Sequence, residues 1–337
     1  MDVRAALARV AARGSLTESE MEAVMGQLMD GTATPAQIGG LLIALHMKGE
    51  TVDEITGAVR ALRAHATSVR VRAPVVVDTC GTGGDLRGTF NISTAAAFIA
   101  AGAGLTVAKH GNRAMSGTVG GADVLEALGV RIDLPPERMA ECIDAVGVGF
   151  LFAQVFHPAM RHAAGPRREL GVRTIFNLLG PLSNPAGARH QVMGVFAAEW
   201  TEPLAEALGR LGCFHALVVH GDDGLDEISL AAPTRCAEWN AGTLRAFRIT
   251  PEEFGLTRCR DEDLAGGDRR TAADILRGIL AGASGPRADI AILNAAAAIY
   301  VGGRAASIAA GIDLARESVR SGRAAQKLAR LIEFTNQ

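Results

Sequence analysis

The sequence predicts an α/β protein in which a small α-helical subdomain precedes a larger domain with a mainly parallel central sheet. Three observations support this. Residues 1–72 show only helical patterns, short β-branched or apolar runs begin after Pro74, and helical stretches separate several of these runs. Such alternation favours parallel strands joined by helices. The 337 residues, 48% of them hydrophobic, can fill the cores of both units.

Helix start signals define the first unit. Ser15-Leu16-Thr17-Glu18 reads as a capping box, and apolar residues follow it at helical spacing. Thr34-Pro35 marks a second start, and Thr51-Val52-Asp53-Glu54 repeats the capping pattern. We therefore assign residues 1–72 to the helical subdomain and residues 73–337 to the α/β domain.

Short apolar runs mark the predicted strands of the second unit. These are Val75–Val77, Leu105–Ala108, Gln191–Phe196 and Ala216–Val219. Cys236–Thr250 reads as a hairpin that turns at Asn240-Ala241-Gly242. The alanine-rich stretch 291–310 contains larger apolar residues at regular intervals, which indicates closely packed helices.

Composition argues against several classes of protein. With 34 Lys and Arg against 36 Asp and Glu, a net charge of -2 and 4% aromatic residues, we expect no nucleic-acid partner. The 5 cysteines include no C-x-x-C pair, so neither a zinc site nor a disulfide framework is expected and a reducing cytoplasm fits best. No apolar run approaches the ~18 residues of a membrane span, so no membrane partner is expected.

The stretch DTCGTGGD (78–85) follows the first predicted strand. Glycines there let backbone N–H groups approach a ligand closely, most often a phosphate. Two common nucleotide motifs are excluded, because Leu86 stands where the dinucleotide fingerprint needs glycine and Thr89 where the P-loop needs lysine. Asn91–Thr94 then opens a helix whose N-terminus suits an anion. The alternative is a tight turn with an ordinary helix cap.

Two further clusters follow predicted strands. Lys109-His110-Gly111-Asn112-Arg113 places two cations and an amide where α/β proteins bind ligands, which suits a phosphorylated substrate. The alternative is a solvated loop with a lone histidine. The acidic stretch His220–Glu227 suits Mg²⁺ held by one or two carboxylates and phosphate oxygens, or it is an acidic surface turn.

Taken in chain order, DTCGTGGD, NIST, KHGNR, RELGVRTIFNLLGPLSNPAGARHQVMGV and HGDDGLDE resemble the anthranilate phosphoribosyltransferase family. The resemblance implies a helical subdomain, joined in space by residues 168–188, beside an α/β domain, and a homodimer formed through the helical part. It implies transfer of the phosphoribosyl group of phosphoribosyl pyrophosphate to the amino nitrogen of anthranilate in tryptophan biosynthesis. Mg²⁺, expected as two ions per subunit, would assist the release of pyrophosphate.

The resemblance also assigns residues to the substrates. Those assigned to the phosphoribosyl donor are Gly81, Gly84, Asp85, Thr89, Asn91, Ile92, Ser93, Thr94, Lys109, His110, Gly111, Asn112, Arg113, Ser116, Gly117 and Gly121. Those assigned to anthranilate are Gly81, His110, Asn112 and Arg167, with Arg167 meeting the carboxylate. Ser93, Asp226 and Glu227 are assigned to the metal.

The implied chemistry needs no catalytic nucleophile or base. The aniline nitrogen is neutral near pH 7 and attacks by itself, while the ribosyl carbon passes through an oxocarbenium-like state. Lys109 and Arg113 are the candidate stabilisers of the departing charge.

One departure from the family concerns Gly117 and Gly121, which stand where it commonly carries serines, so backbone N–H groups would replace two hydroxyl donors. The alternative functions are transfer to another aromatic amine and a non-catalytic homologue that binds nucleic acid.

Overall fold

A computed structural model describes residues 1–114 and 119–337. Its helices are α1 Val3–Ala11, α2 Glu18–Met29, α3 Pro35–Lys48, α4 Val52–Ala64, α5 Ile92–Gly102, α6 Gly121–Ala127, α7 Pro136–Val146, α8 Ala153–Phe156, α9 Arg161–Leu170, α10 Phe176–Leu182, α11 Thr201–Arg210, α12 Arg269–Leu280, α13 Pro286–Val301, α14 Ile308–Arg320 and α15 Arg323–Thr335. Short 3₁₀ turns lie at Pro158–Met160, Ala198–Trp200, Pro251–Phe254 and Asp261–Leu264.

The described strands form one seven-stranded sheet of order β3-β2-β1-β4-β5-β6-β7. They are β1 Val76–Asp78, β2 Thr106–Gly111, β3 Val148–Phe152, β4 His190–Gly194, β5 His215–Gly221, β6 Thr234–Asn240 and β7 Thr243–Ile249. The first five are parallel, and β6 and β7 form an antiparallel extension. Because β1 pairs with β2 on one side and β4 on the other, the chain order reverses at β1, the kind of point where α/β sheets bind ligands.

Two apolar cores lie on opposite faces of this sheet. Val192 and Leu217 belong to the core shared with α5 and α13, whereas their neighbours Met193 and Val218 belong to the core shared with α2, α3 and α4. The alternation follows from the two-residue period of a strand. Helix α9 packs on α2 and α3, and α10 packs on α4, so chain segments from the second half of the fold lie against the amino-terminal helices.

The predicted fold class is confirmed, with local differences. Helix α2 uses Thr17 and Glu20 as its capping box, so the predicted box at Ser15 was placed two residues too early. Both positions fit the pattern, and the structure selects the one that leaves Leu16 fully buried. Strand β3 was not predicted, because five buried apolar residues carry no alternation. No helix among the described residues has the length and apolar character needed to span a membrane.

Candidate active site

The predicted site residues converge on the edge where parallel strands β1, β2 and β5 end. Asp78 closes β1, Lys109 lies near the end of β2, and Asp226 and Glu227 follow β5. An open cavity of about 810 Å³ between the start of α11 and the β6–β7 hairpin contains none of these residues. The candidate site is therefore defined by its chemistry and not by cavity size.

Backbone geometry explains why glycines occur in the loop after β1. Gly83, Gly84 and Gly88 have φ angles of 65°, 79° and 66°, a region that favours glycine. A Cβ on Gly81 would lie 3.1 Å from the Asp226 Oδ2 atom. The N–H of Gly83 donates to that oxygen at 2.8 Å. The loop therefore runs directly over an acidic side chain of the β5 loop.

The same loop offers backbone donors. The N–H groups of Gly84 and Asp85 donate to no described residue, and the Asp85 carboxylate accepts from the Arg87 N–H at 3.2 Å. Thr89 forms an isolated antiparallel bridge with Ala265, which fixes the far end of the loop. Free N–H groups on a glycine-rich loop are the usual cradle of a phosphate.

Helix α5 begins immediately after this loop. Asn91 stands at its N-cap without making a cap hydrogen bond, and donates instead to the Val119 carbonyl oxygen at 3.1 Å. The Asn91 Oδ1 and Thr94 Oγ1 atoms are buried without a partner among the described residues. The Ile92 side chain is buried in the core, and its N–H donates to the Phe90 carbonyl oxygen at 2.8 Å. The helix start thus combines a positive dipole end with unused polar atoms.

Lys109 brings a buried cation to this helix start. It is 5% exposed, and its Nζ donates to the Thr79 carbonyl oxygen at 2.5 Å and to Ser93 Oγ at 3.1 Å. Asp78 accepts from the His110 N–H at 3.1 Å and from Asn184 Nδ2 at 2.7 Å. Burial raises the pKa of Asp78 to about 6, although nearby Lys109 opposes the shift.

Asp226 and Glu227 form the candidate metal centre. Burial, together with the nearby carboxylates of Asp85 and Glu227, raises the pKa of Asp226 well above its usual value. Burial also raises the pKa of Glu227, which accepts the Ser93 N–H at 3.1 Å. A carboxylate whose pKa is raised by neighbouring carboxylates favours a cation beside it. No three His, Cys, Asp or Glu side chains form a ready-made metal cage in the described ranges.

Two buried histidines, His110 and His157, lie against each other beside the end of β2. His110 Nδ1 lies 3.1 Å from the Gly180 carbonyl oxygen, and the ring centroid lies 5.0 Å from that of His157. Burial lowers the pKa of His110 to about 3 and that of His157 to about 4, so both rings are neutral at pH 7. Their Nε2 atoms are buried without a described partner. The sequence carries no local signal for His157, because its contact with His110 links distant segments.

Two arginines of the α9–α10 segment, Arg167 and Arg173, also belong to the candidate site. The guanidinium of the half-buried Arg167 lies 4.9 Å from the Phe176 ring centroid and donates no hydrogen bond to a described residue. Desolvation lowers its pKa. Arg173, which sequence analysis missed, donates to the Gly84 carbonyl oxygen and lies over Phe196. Arg167 is therefore available to an anion, whereas Arg173 is engaged with the glycine loop.

The other residues that the resemblance assigns to the substrates are held by contacts within the protein or lie outside the described residues. The Arg113 guanidinium pairs with Asp123 and Glu126 of α6, so its charge is already balanced. Asn112 Oδ1 accepts the Arg113 N–H, and its carbonyl oxygen accepts the Ala122 N–H. A side chain on Gly111 would collide with the Phe150 ring, whereas a Cβ on Gly121 would lie 3.4 Å from Thr94 Oγ1. Ser116 and Gly117 lie outside the described residues.

Known proteins match this chain along most of its length. It matches the helical bundle domain of a glycosyl transferase family over residues 4–66 and the a/b domain over residues 73–325. Anthranilate phosphoribosyltransferase from Thioalkalivibrio sulfidiphilus is 57% identical over 340 aligned residues, which cover 99% of each chain. The enzyme of that name from Alkalilimnicola ehrlichii is 53% identical, with 100% of both chains covered.

Solved structures agree with these matches. Anthranilate phosphoribosyltransferase from Thermus thermophilus superposes with a TM-score of 0.94 at 48% identity, covering 98% of this chain and 99% of the other. The Saccharomyces cerevisiae enzyme, solved with phosphoribosyl pyrophosphate and Mg, gives a TM-score of 0.89 at 27% identity, covering 99% and 98%. The predicted family and enzyme class are confirmed. The chain belongs to the anthranilate phosphoribosyltransferase family.

Proposed function

We propose that this protein transfers the phosphoribosyl group of phosphoribosyl pyrophosphate to the amino nitrogen of anthranilate, in tryptophan biosynthesis. The products are N-(5-phosphoribosyl)anthranilate and pyrophosphate. One arrangement carries the proposal: a loop with free N–H groups lies over the Asp226 carboxylate, and the half-buried guanidinium of Arg167 donates no hydrogen bond to a described residue. Full-length relatives of this name at more than 50% identity support it.

The donor would occupy the loop after β1 and the start of α5. The N–H groups of Gly84 and Asp85, the α5 N-terminus and Lys109 all present positive charge to phosphate oxygens. Lys109 would move from the Thr79 carbonyl oxygen to the developing negative charge of pyrophosphate. Arg113 would contribute in this way only after leaving its two carboxylates, which makes Lys109 the stronger candidate stabiliser.

The acceptor would lie between the donor loop and the α9–α10 segment. Arg167 would bind the anthranilate carboxylate with its planar guanidinium. The free Nε2 atom of His110 would accept a hydrogen bond from the amine, because the ring is neutral and its Nδ1 atom, 3.1 Å from the Gly180 carbonyl oxygen, carries the proton. The nitrogen then attacks C1 of the ribose without a protein nucleophile, and the protein's main contribution is alignment.

The residues of the β5 loop fit Mg²⁺. The half-buried neighbouring carboxylates of Asp226 and Glu227 would be stabilised by a divalent cation, and the Ser93 hydroxyl would add a neutral oxygen. We propose that these three residues hold Mg²⁺, with two ions per subunit. When bound, Mg²⁺ neutralises pyrophosphate oxygens as the leaving group forms. The lack of a ready-made cage among the described residues fits an ion that takes further ligands from phosphate and water.

A fluorescence assay tests the proposal directly. Anthranilate fluoresces, so its loss is followed with purified protein, phosphoribosyl pyrophosphate and Mg²⁺. We expect turnover that stops when a chelator removes Mg²⁺ and resumes when Mg²⁺ is added back. Absence of turnover at millimolar substrates would refute the proposed function, and equal turnover of an aromatic amine without the carboxylate would favour the alternative acceptor.

We further propose a cytoplasmic homodimer formed through the helical subdomain, which comprises residues 1–72 together with residues 168–188. Helix α3 supports the interface because Met47 is 64% exposed while Ile43 and Ala44 are half-buried. Sedimentation at micromolar concentration should give a dimer, and Met47→Glu should shift it towards monomer. A monomeric parent protein would contradict the interface.

A further inference from the structure

Arg173 lies outside the predicted donor and acceptor residues, yet it contacts the glycine loop. Its guanidinium donates to the Gly84 carbonyl oxygen and lies over the Phe196 ring, 4.2 Å from the centroid. The Phe196 N–H in turn donates to Thr82 Oγ1 at 3.0 Å, and the Thr82 N–H donates to the Gly194 carbonyl oxygen at 2.9 Å. The loop is therefore held from the β4 side at Thr82 and from the α9–α10 side at Gly84, two residues apart.

The backbone on both sides of Arg173 is fixed. Gly171 ends α9 in the left-handed conformation, with φ 63°, and its N–H donates to the Arg167 carbonyl oxygen. Thr174 is 4% exposed, and its N–H donates to Asn177 Oδ1 at 3.0 Å. A side chain anchored in this way loses little additional entropy when it binds a carbonyl group, and the aromatic ring beneath it restricts the guanidinium further.

The contact has a consequence for the neighbouring peptide. In a trans peptide the C=O and the following N–H point in opposite directions. When Arg173 holds the Gly84 carbonyl group, the Asp85 N–H must point away from Arg173, and this N–H donates to no described residue. We propose that Arg173 is a positioning residue that orients the Gly84–Asp85 peptide so that the Asp85 N–H binds the pyrophosphate of the donor.

This inference rests on the proposed function, because it names the step that Arg173 serves. Loss of Arg173 should affect donor binding and not the transfer step, since Arg173 acts through the Gly84–Asp85 peptide. An arginine that merely stabilised the fold would lower the thermal midpoint and leave the donor dissociation constant unchanged. Helix α15 offers a matched control, because the exposed Arg330 donates to the Ala145 carbonyl oxygen at 2.8 Å far along the chain from the glycine loop.

Calorimetric titration of phosphoribosyl pyrophosphate with Mg²⁺ tests the proposal. Loss of one oriented, charge-assisted contact should raise the donor dissociation constant of Arg173→Ala about tenfold. The KM for the donor should rise in parallel, with kcat changed less than about threefold, because uniform binding is lost. Arg173→Lys should recover part of the affinity, since an ammonium group still donates to the carbonyl, and Arg330→Ala should bind the donor like the parent.

A second route keeps the test independent of how well Arg173→Ala folds. Phe196→Leu removes the ring but leaves the Phe196 N–H bond to Thr82, and should weaken donor binding by a smaller factor. In the double variant the two effects should not add, because both act on one guanidinium. Unchanged donor affinity in Arg173→Ala, or equal weakening in Arg330→Ala, would overturn the positioning role. An inactive parent protein would instead refute the proposed function.

Discussion

The parallel strands carry buried charged groups at both of their ends. We call the side where β1, β2 and β5 end the carboxyl edge and the side where they begin the amino edge, and the charged groups of the two edges have different partners. At the amino edge, Glu238 accepts hydrogen bonds from His215 at 2.9 Å, Tyr300 at 2.5 Å and Arg245 at 2.9 Å. These contacts, the His215 bond first, lower the pKa of Glu238 to about 2. A carboxylate with three donors is stabilised in its charged form without any ligand.

At the carboxyl edge several polar atoms lack such partners. His110 Nε2, Asn91 Oδ1 and Thr94 Oγ1 are buried without a described partner. Asp226 and Glu227 have raised pKa values, because burial disfavours their charged forms. Unsatisfied groups cost free energy in the empty protein. The comparison indicates that the amino edge stabilises the fold, whereas the carboxyl edge holds groups whose partners arrive with the substrates.

Removing the acidic pair should have the largest effect and would test the comparison most severely. Asp226→Ala with Glu227→Ala should reduce Mg²⁺-dependent kcat/KM at least about a hundredfold, because a metal contributes several kcal/mol of charge stabilisation. Thermal stability should stay equal or rise, since two poorly solvated carboxylates are lost. Steady-state rates and melting curves measure both effects.

A matched control is Glu252→Ala with Glu253→Ala, an adjacent acidic pair in the 3₁₀ turn Pro251–Phe254. It should leave the rate near that of the parent. If the Asp226 and Glu227 double variant retained the parental rate, the metal assignment and the functional interpretation of the carboxyl edge would both fail.

Arg167→Ala should have the next largest effect. The half-buried guanidinium has no described carboxylate partner, so its desolvation is uncompensated until a ligand carboxylate binds. Losing this charge-assisted contact should cost about 1.5–3 kcal/mol, or roughly ten- to over a hundredfold in KM for anthranilate. The donor dissociation constant should not change. Arg168→Ala, an exposed neighbour on α9, serves as the control, and equal KM values in the two variants would contradict the role of Arg167.

At the amino edge the expected effect falls on stability alone. Glu238→Gln keeps the shape but loses a charged acceptor, and should lower the free energy of unfolding by about 1–3 kcal/mol with both KM values unchanged. The folded pKa of Glu238 is lowered to about 2 from 4.5, so its contribution is complete above pH 4.5 and is lost as the pH falls towards 2. Chemical denaturation at pH 7 and pH 3 should show the deficit shrinking at the lower pH. A constant deficit, or altered KM values, would contradict the division between the edges.

The candidate site was largely predictable because its chemistry lies in short contiguous stretches. The glycines after β1, the cluster that begins at Lys109 and the pair Asp226-Glu227 each carry a local signal, and the parallel fold brings strand ends together. His157 and Arg173 were missed, because their roles depend on contacts between distant segments. The Glu238 cluster was missed for the same reason.

Gly121→Ser should have the smallest effect. It tests the comparison at one buried atom without a described partner, Thr94 Oγ1. A Cβ there would lie 3.4 Å from Thr94 Oγ1, an ordinary contact, so a serine fits and its hydroxyl can bind Thr94 or a phosphate oxygen. One added neutral hydrogen bond contributes about 0.5–1.5 kcal/mol, so donor binding should tighten by at most about tenfold. Gly120→Ser is the contrasting control, because its Cβ would lie 2.4 Å from the Ala114 nitrogen and must displace the backbone. Weaker donor binding in Gly121→Ser would mean that Thr94 does not face the donor as this edge of the sheet requires, whereas an unaffected Gly120→Ser would contradict the close approach of Gly120 to Ala114.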